Sequence, residues 1–375
     1  MQNTGRYFHP EQIMKSVTPP TRAQRLRLGI LNVGFWVTIA ATILGFRATL
    51  ESSATQIQPV WIWIIALGGY LAVQGVFDWI GAGYLGSRVE TNPEFKKQWV
   101  KGVALQTTFW TLLSALIILA NYLGTGYCIA CLLGILLLSF TQLICLNWVN
   151  GSSQKIDDPT DFQGKTFMVD CPEPTFTGGV IAGLGKHKHV IPENWKTSKS
   201  LGLEIIRRNY MASKGLPFRA FLIVVAWNLV GVAIGDWLNI FDSNSVALTI
   251  LYFSSWMTLW SFTSLLVLPS LSHSTVFAAD QAAHQEDPES LAAYIENFPE
   301  VIDEDGHKNS FVQKIFYPIP SSQLRLETLD QRTSFQWGPL SRTNLFLSWA
   351  TLNLTARSVH CNVGRPPLWI MPPTA

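Results

Sequence analysis

Glu204 is the residue of this chain best placed to carry chemistry. It lies in the first turn of the helix predicted for "SLGLEIIRRNYMASKG", residues 200–215. Periodicity places apolar residues on one face of that helix and Glu204, Arg207 and Arg208 on the other. A carboxylate in such a position can serve as a general base, but an i,i+4 pair of Glu204 with Arg208 is also what an ordinary surface helix carries. The segment alone leaves both interpretations open.

Histidines near this segment raise the alternative of a metal site. His273, Asp280 and His284 share one predicted helical face, but steps of two turns or more separate them by roughly 10 Å along the axis, too far for one ion. His187 and His189 alternate on a predicted strand or turn, a pattern common at protein surfaces. We expect no metal to be bound by these residues, and a relocated metal site stays an alternative.

The composition is typical of a membrane protein. Of 375 residues only 14% are charged, 48% are hydrophobic and 15 are Trp. A membrane-crossing helix needs about 20 mainly apolar residues, and six segments meet that requirement. They are residues 28–46, 60–85, 103–123, 127–149, 220–240 and 246–271. The sequence therefore predicts a multi-span α-helical membrane protein.

Basic residues predict the orientation of these spans. The polar arm before the first span carries five of them, and Lys96, Lys97 and Lys101 precede the third span, whereas the loops after spans one, three and five carry almost none beyond Arg47. Positive charge marks the cytoplasmic side, so we expect both termini in the cytoplasm of a protein of the inner cell membrane. The arm has no short apolar core with a cleavage site, so the first span is expected to direct insertion. The net charge of +2 argues against a nucleic-acid partner.

This orientation predicts a divided cytoplasmic domain. Residues 150–219 and 272–375 would fold together as one α+β domain, with a transmembrane hairpin inserted between them. Within it, residues 151–175 are predicted to be polar turns, two short strands follow near 176–181 and 190–191, and 341–360 is predicted to pack on the domain. The chain is therefore predicted to divide into five parts. They are an N-terminal arm (1–27), four spans (28–149), the first part of the domain (150–219), the transmembrane hairpin (220–271), and the second part of the domain with the C-terminal tail (272–375).

Polar residues in or near the spans are assigned structural roles. Asp78 and Asp236 each precede a Trp near a span end, where anchoring at the membrane surface is expected, and Asn228 lies mid-span, where it can bond a neighbouring helix. Cys128 and Cys131 form a C-x-x-C with no second pair and in an apolar setting, and a redox or metal pair there stays an alternative. Without a mid-span charge or an internal repeat, a channel or carrier is only a third hypothesis.

The order of motifs from 176 to 329 resembles the HtpX and CAAX-prenyl protease type of integral membrane zinc metallopeptidase. That family has an edge strand, an H-E-x-x-H helix, a transmembrane hairpin, an S-R-x-x-E-x-x-A-D helix and a late H-P-S-x-x-x-R-I segment. Here "TFTGG" supplies the strand, with Phe176, Gly178 and Gly179. Leu203-Glu204-Ile205-Ile206-Arg207 falls on H-E-x-x-H, "SHSTVFAAD" on the second helix, and Pro320-Ser321 with Arg325-Leu326 on the late segment.

The resemblance implies a peptidase-like domain that has lost its metal. In the family two histidines and a glutamate bind zinc, and the glutamate after the first histidine activates the zinc-bound water. The ligand positions hold Leu203, Arg207 and Val276, which offer a metal no lone pair. The base position, Glu204, and the second-helix Asp280 remain. We therefore expect Glu204 to pair with an arginine, so that a cation of the protein itself replaces the metal.

Three functions follow as hypotheses. The first is a proteolytically inactive membrane protein without a cofactor, which binds segments of membrane proteins at the retained edge strand as an adaptor. The second is an active membrane endopeptidase whose zinc has an unusual ligand set. The third is the channel or carrier. In all three the lipid bilayer surrounds the spans. The resemblance also predicts that the helices around Glu204 and Asp280 lie side by side, with the three ligand positions converging.

Overall fold

A computed structural model describes residues 19–54, 56–84, 94–151, 153–156, 165–173, 175–181, 188–197, 201–301, 309, 311, 313–314, 317–331, 335–348 and 362–373. Six helices within this part are long and apolar enough to cross a membrane, as the sequence predicts. They are α1 (Pro19–Gly45), α3 (Pro59–Trp79), α4 (Phe95–Leu123), α5 (Tyr127–Asn150), α7 (Leu216–Trp237) and α8 (Val246–Glu286). A short helix, α2 (Arg47–Ala54), follows α1, and one π-helical turn (Ile80–Tyr84) extends α3.

Several helices extend beyond the predicted spans. α1 begins at Pro19, inside the predicted arm, and α4 begins at Phe95 instead of 103. α8 continues without a break through the predicted second helix to Glu286, so its 41 residues measure about 61 Å, twice the roughly 30 Å of a bilayer core. Hydropathy marks only the part of a helix that lipid can surround. Polar turns continue the helix because its backbone hydrogen bonds do not depend on hydropathy.

A four-stranded sheet is built from residues between α5 and the next long helix. Its strands are β1 (Ser153–Ile156), β2 (Lys165–Val169), β3 (Gly179–Ile181) and β4 (Lys188–Pro192), in the order β1-β2-β4-β3. β2 runs parallel to β4, and β3 and β4 are antiparallel. The prediction of turns alone for 151–175 is wrong, because β1 and β2 are held by pairing with each other and with β4 rather than by an apolar run.

Three further helices pack against the polar end of α8. They are α6 (Leu201–Ser213), α9 (Pro288–Val301) and α10 (Ser322–Glu327). One hydrophobic cluster lies between α6, α8 and α9, and Leu326 of α10 packs against it. The cluster consists of Leu203, Val276, Ala283, Leu291, Tyr294, Ile295, Phe298 and Ile319. The predicted side-by-side packing of the Glu204 and Asp280 helices is therefore confirmed.

The C-terminal segment lies among the apolar helices. All eight residues of α11 (Leu340–Leu347) are buried between α5, α7 and α8. Asn344 accepts a hydrogen bond from Asn228 at 3.1 Å and donates one to Ser264 at 2.8 Å. The prediction that 341–360 packs on the separate domain is wrong for the described part of that range, because buried amides such as Asn228 need polar partners that lipid does not supply.

The C-terminal tail also packs among the apolar helices. α12 (Pro366–Ile370) packs against α4 and α5, where Gln142 donates to the Ile370 carbonyl at 2.9 Å.

Asp78, near the end of α3, is fully buried and accepts hydrogen bonds from Gln74 at 3.1 Å and Trp99 at 3.3 Å. Its predicted role as an anchor at the membrane surface is therefore wrong. Asp236 is exposed, as an anchoring residue would be.

Candidate functional site

Glu204 lies at the centre of a buried arginine–carboxylate network. The network consists of Glu204, Arg207 and Arg208 on α6, Asp280 on α8 and Arg325 on α10, and none of these residues is more than 2% exposed. Helix periodicity correctly places the three α6 residues on one face. Of the two interpretations that the segment left open, the ordinary surface helix is excluded, because this face is buried and its charges compensate one another inside the protein.

Two arginines hold the carboxylate of Glu204. Arg207 Nη1 donates to Oε1 and Arg208 Nε donates to Oε2 at 2.8 Å, at i+3 and i+4 on the same helix. The prediction that Glu204 pairs with an arginine is confirmed, and it pairs with both. Its position in the first turn of α6 adds a favourable interaction with the positive end of the helix dipole.

Asp280 joins α6 to α10 through two further arginines. Arg207 Nε donates to Asp280 Oδ1 at 2.9 Å. Arg325 binds the same carboxylate in bidentate fashion, with Nε 2.7 Å from Oδ2 and Nη2 2.8 Å from Oδ1. Planar guanidinium and carboxylate groups are well matched for such a pair. Arg325 of the late motif is thereby brought into the site, one turn after the N-cap Ser321 that begins α10.

Tyr294 on α9 completes the site, and sequence reasoning missed it. Its hydroxyl donates to Glu204 Oε1 and accepts from Arg207 Nη1 at 3.0 Å. The guanidinium carbons of Arg207 and Arg325 lie 5.3 and 5.8 Å from the centre of its ring, within range of a cation–π contact. One aromatic residue in an amphipathic helix gives no sign of such a role.

Arg208 connects the network to the sheet. Its Nη1 donates to the Val190 carbonyl of β4 and its Nη2 to the Thr177 carbonyl just before β3, both at 2.8 Å. Gly178 has a φ of +65°, and a Cβ there would lie 2.1 Å from the Val190 carbonyl oxygen. The Gly178-Gly179 pair is thus a close approach of two backbones, which only glycine permits. Phe176, also a predicted site residue, is buried beside it.

The electrostatics favour the ionised forms of Glu204 and Arg207. Burial alone would raise the pKa of Glu204, but Arg207, Arg208 and the Tyr294 hydrogen bond outweigh it and lower this pKa to about 2. Burial also acts to lower the pKa of Arg207, and Asp280, Tyr294 and Glu204 reverse the effect and raise it. Burial and the neighbouring Glu204 carboxylate raise the pKa of Tyr294, which keeps its proton to donate. With three guanidiniums and two carboxylates, the network carries one excess positive charge.

The three positions that align with zinc ligands of the HtpX-type motifs do not fit zinc. Leu203 and Val276 belong to one hydrophobic cluster, and Arg207 extends from the same helix as Leu203 to Asp280, one turn beyond Val276. Neither aliphatic side chain can bind a metal, and the guanidinium is permanently charged. The described residues contain no group of three His, Cys, Asp or Glu side chains that could hold an ion.

The other candidate residues lie apart from this network or bond elsewhere. His273 Nε2 lies 2.6 Å from the Tyr317 carbonyl oxygen, His189 is buried on β4, and His187 is outside the described residues. Cys128 and Cys131 are free thiols at the start of α5. Pro320 is buried directly before the cap of α10.

No protein-family model matches the chain, and neither does any curated protein or solved structure. The resemblance to HtpX-type peptidases therefore rests on the order and chemistry of the motifs.

Proposed function

We propose that this chain is an integral protein of the inner cell membrane, with both termini in the cytoplasm, that binds segments of membrane proteins and does not cleave them. The observation that carries the proposal is the position of Arg207. Its guanidinium bonds the base-position residue Glu204, the retained acid Asp280 and Tyr294 together. In an HtpX-type site this arrangement would replace the metal by a cation of the chain.

A glutamate held in this way is a poor general base. Its pKa of about 2 and its two arginine partners remove the driving force for taking a proton from water. Water that no metal polarises keeps a pKa near 15.7. Glu204 is therefore assigned a structural role, in which it fixes Arg208 against the carbonyls before β3 and on β4.

Binding is assigned to the edge of β3 that faces away from β4. This strand is last in the sheet order, and it pairs with β4 on one side only among the described residues. An extended segment of a partner can add to such an edge through backbone hydrogen bonds. The contacts from Arg208 to Thr177 and Val190 hold β3 and β4 in a fixed position, so that the edge is ordered before a partner arrives.

The experiment places a photo-crosslinking amino acid at Val180 in β3 of the full-length protein in its native membrane. The matched control places it at Phe167 in β2, which is also half-buried but lies between two strands. We expect an intact membrane protein to be cross-linked from Val180 and not from Phe167. Equal labelling from both positions would refute edge-strand binding, and a cleaved product would favour the endopeptidase.

A further inference from the structure

Four of the apolar helices enclose a cavity that the arginine–carboxylate network does not use. It has a volume of about 340 Å³ and lies between α1, α3, α4 and α8. Ligand sites in proteins commonly measure 300–1,000 Å³. The walls from α1 and α3 are aromatic and aliphatic, including Trp36, Ile65 and Tyr70. The cavity is thus large enough for part of a small apolar molecule.

The position of the cavity indicates a molecule dissolved in the bilayer. Trp36 stands nine residues before the end of α1 at Gly45, about 13 Å along the axis, which is near the middle of a roughly 30 Å core. The hydroxyl of Tyr252 bonds the Arg47 carbonyl, so α1 and α8 run antiparallel past the cavity. Ile65, on its wall, is 68% exposed on the outside of the bundle. The cavity therefore opens towards lipid chains rather than water.

The opposite wall adds polar side chains to the apolar Trp110 and Leu251. Gln106 and Thr107 of α4 and Ser254, Ser255 and Thr258 of α8 face the cavity, and Ser255 is 4% exposed. The hydroxyl of Thr258 donates its proton to the Ser254 carbonyl at 2.8 Å. Towards the cavity its oxygen can then only accept. A ligand that hydrogen-bonds Thr258 must therefore bring a donor of its own.

We propose that this cavity binds the chain of a membrane-dissolved lipid that carries a hydroxyl group, which donates to Thr258. The aromatic and aliphatic wall holds the chain by apolar contact. The hydroxyl group of the lipid distinguishes it from lipids without a donor, because an unpaired polar group is costly in the apolar interior of a membrane. The shared chemistry is that of a long-chain alcohol or of a diacylglycerol, and the binding is independent of the network at Glu204.

The test uses the full-length protein in phosphatidylcholine vesicles with a hexadecanol that carries a photoactivatable diazirine on its chain. Labelled peptides are mapped by mass spectrometry. We expect labelling on α1 and α3 beside Trp36 and Tyr70, and competition by unlabelled hexadecanol roughly fivefold better than by its methyl ether, which lacks the donor. A diacylglycerol with the same photoactivatable chain forms a second arm. Labelling by the alcohol alone identifies a single-chain ligand, and labelling by both identifies the hydroxyl lipids as a class.

Two pairs of variants locate the site. A Cβ added at Gly69 meets no atom within 4 Å and faces the cavity, so Gly69→Leu should block labelling, whereas Gly68→Leu, with equal space but off the cavity wall, should not. Thr258→Val should abolish the advantage of the alcohol over its ether. The control is Thr263→Val, since that hydroxyl bonds the Trp260 carbonyl away from the cavity. Equal effects within either pair, no difference between alcohol and ether, or no labelling by either probe would overturn the proposal.

Discussion

The substitution Glu204→Gln should destabilise the protein strongly at neutral pH. It removes a buried negative charge and raises the excess positive charge of the arginine–carboxylate network from one to two. The pKa of Glu204 falls from 4.5 to about 2 on folding, a difference worth about 3 kcal/mol. Removal of one partner from a buried ion pair costs a similar ~3–5 kcal/mol. Both routes give the same order of magnitude.

The pH dependence separates this effect from a simple loss of packing. Because the folded pKa is the lower one, the stabilisation by Glu204 is complete above pH 4.5 and is lost as the pH falls towards 2. The difference in the free energy of unfolding between wild type and Glu204→Gln should decrease over the same pH interval. Thermal unfolding in detergent micelles measures it, with an expected decrease in Tm of roughly 5 °C or more at pH 7.

The matched control is Glu289→Gln. Glu289 is also in the first turn of a helix, but it is exposed. Its substitution should change the free energy of unfolding by less than about 1 kcal/mol. Equal Tm values for the two variants would contradict this role of Glu204. So would a decrease in Tm for Glu204→Gln, relative to wild type, that stays constant down to pH 2.

Three further outcomes are expected. Arg325→Lys should lower the free energy of unfolding by about 1–3 kcal/mol in the same assay, because an ammonium cannot form the bidentate pair with Asp280. Gly102→Leu should expose the C-terminal tail to limited proteolysis, since a Cβ there would lie 2.7 Å from the Trp369 ring. Asn344→Leu should reduce thermal stability by roughly 1–3 kcal/mol, because it leaves buried amide and hydroxyl partners without hydrogen bonds.

The sequence predicts those features that depend on local composition. Six apolar segments of sufficient length give six helices, since lipid burial requires apolar side chains whatever the fold. Helical periodicity places Glu204, Arg207 and Arg208 on one face, and their spacing predicts the ion pairs that are found. The order of motifs predicts that Leu203 and Val276 lie in one cluster.

Features that depend on distant partners could not be predicted. The charged face of α6 has the pattern of a surface helix, and only Asp280 and Arg325, far along the chain, make its burial possible. Tyr294 joins the site through the docking of α9, which no local pattern indicates. The insertion of α11 is equally non-local, because Asn344 accepts a hydrogen bond from one apolar helix and donates one to another.

Centrally, we propose that Arg207 occupies the position that the metal has in an HtpX-type site and that Glu204 does not act as a base. The most direct measurement is the zinc content of the purified full-length protein by mass spectrometry, together with a proteolysis assay. We expect no stoichiometric zinc and no cleavage that responds to a chelator. One zinc per chain, with chelator-sensitive cleavage that Glu204→Gln abolishes, would contradict it.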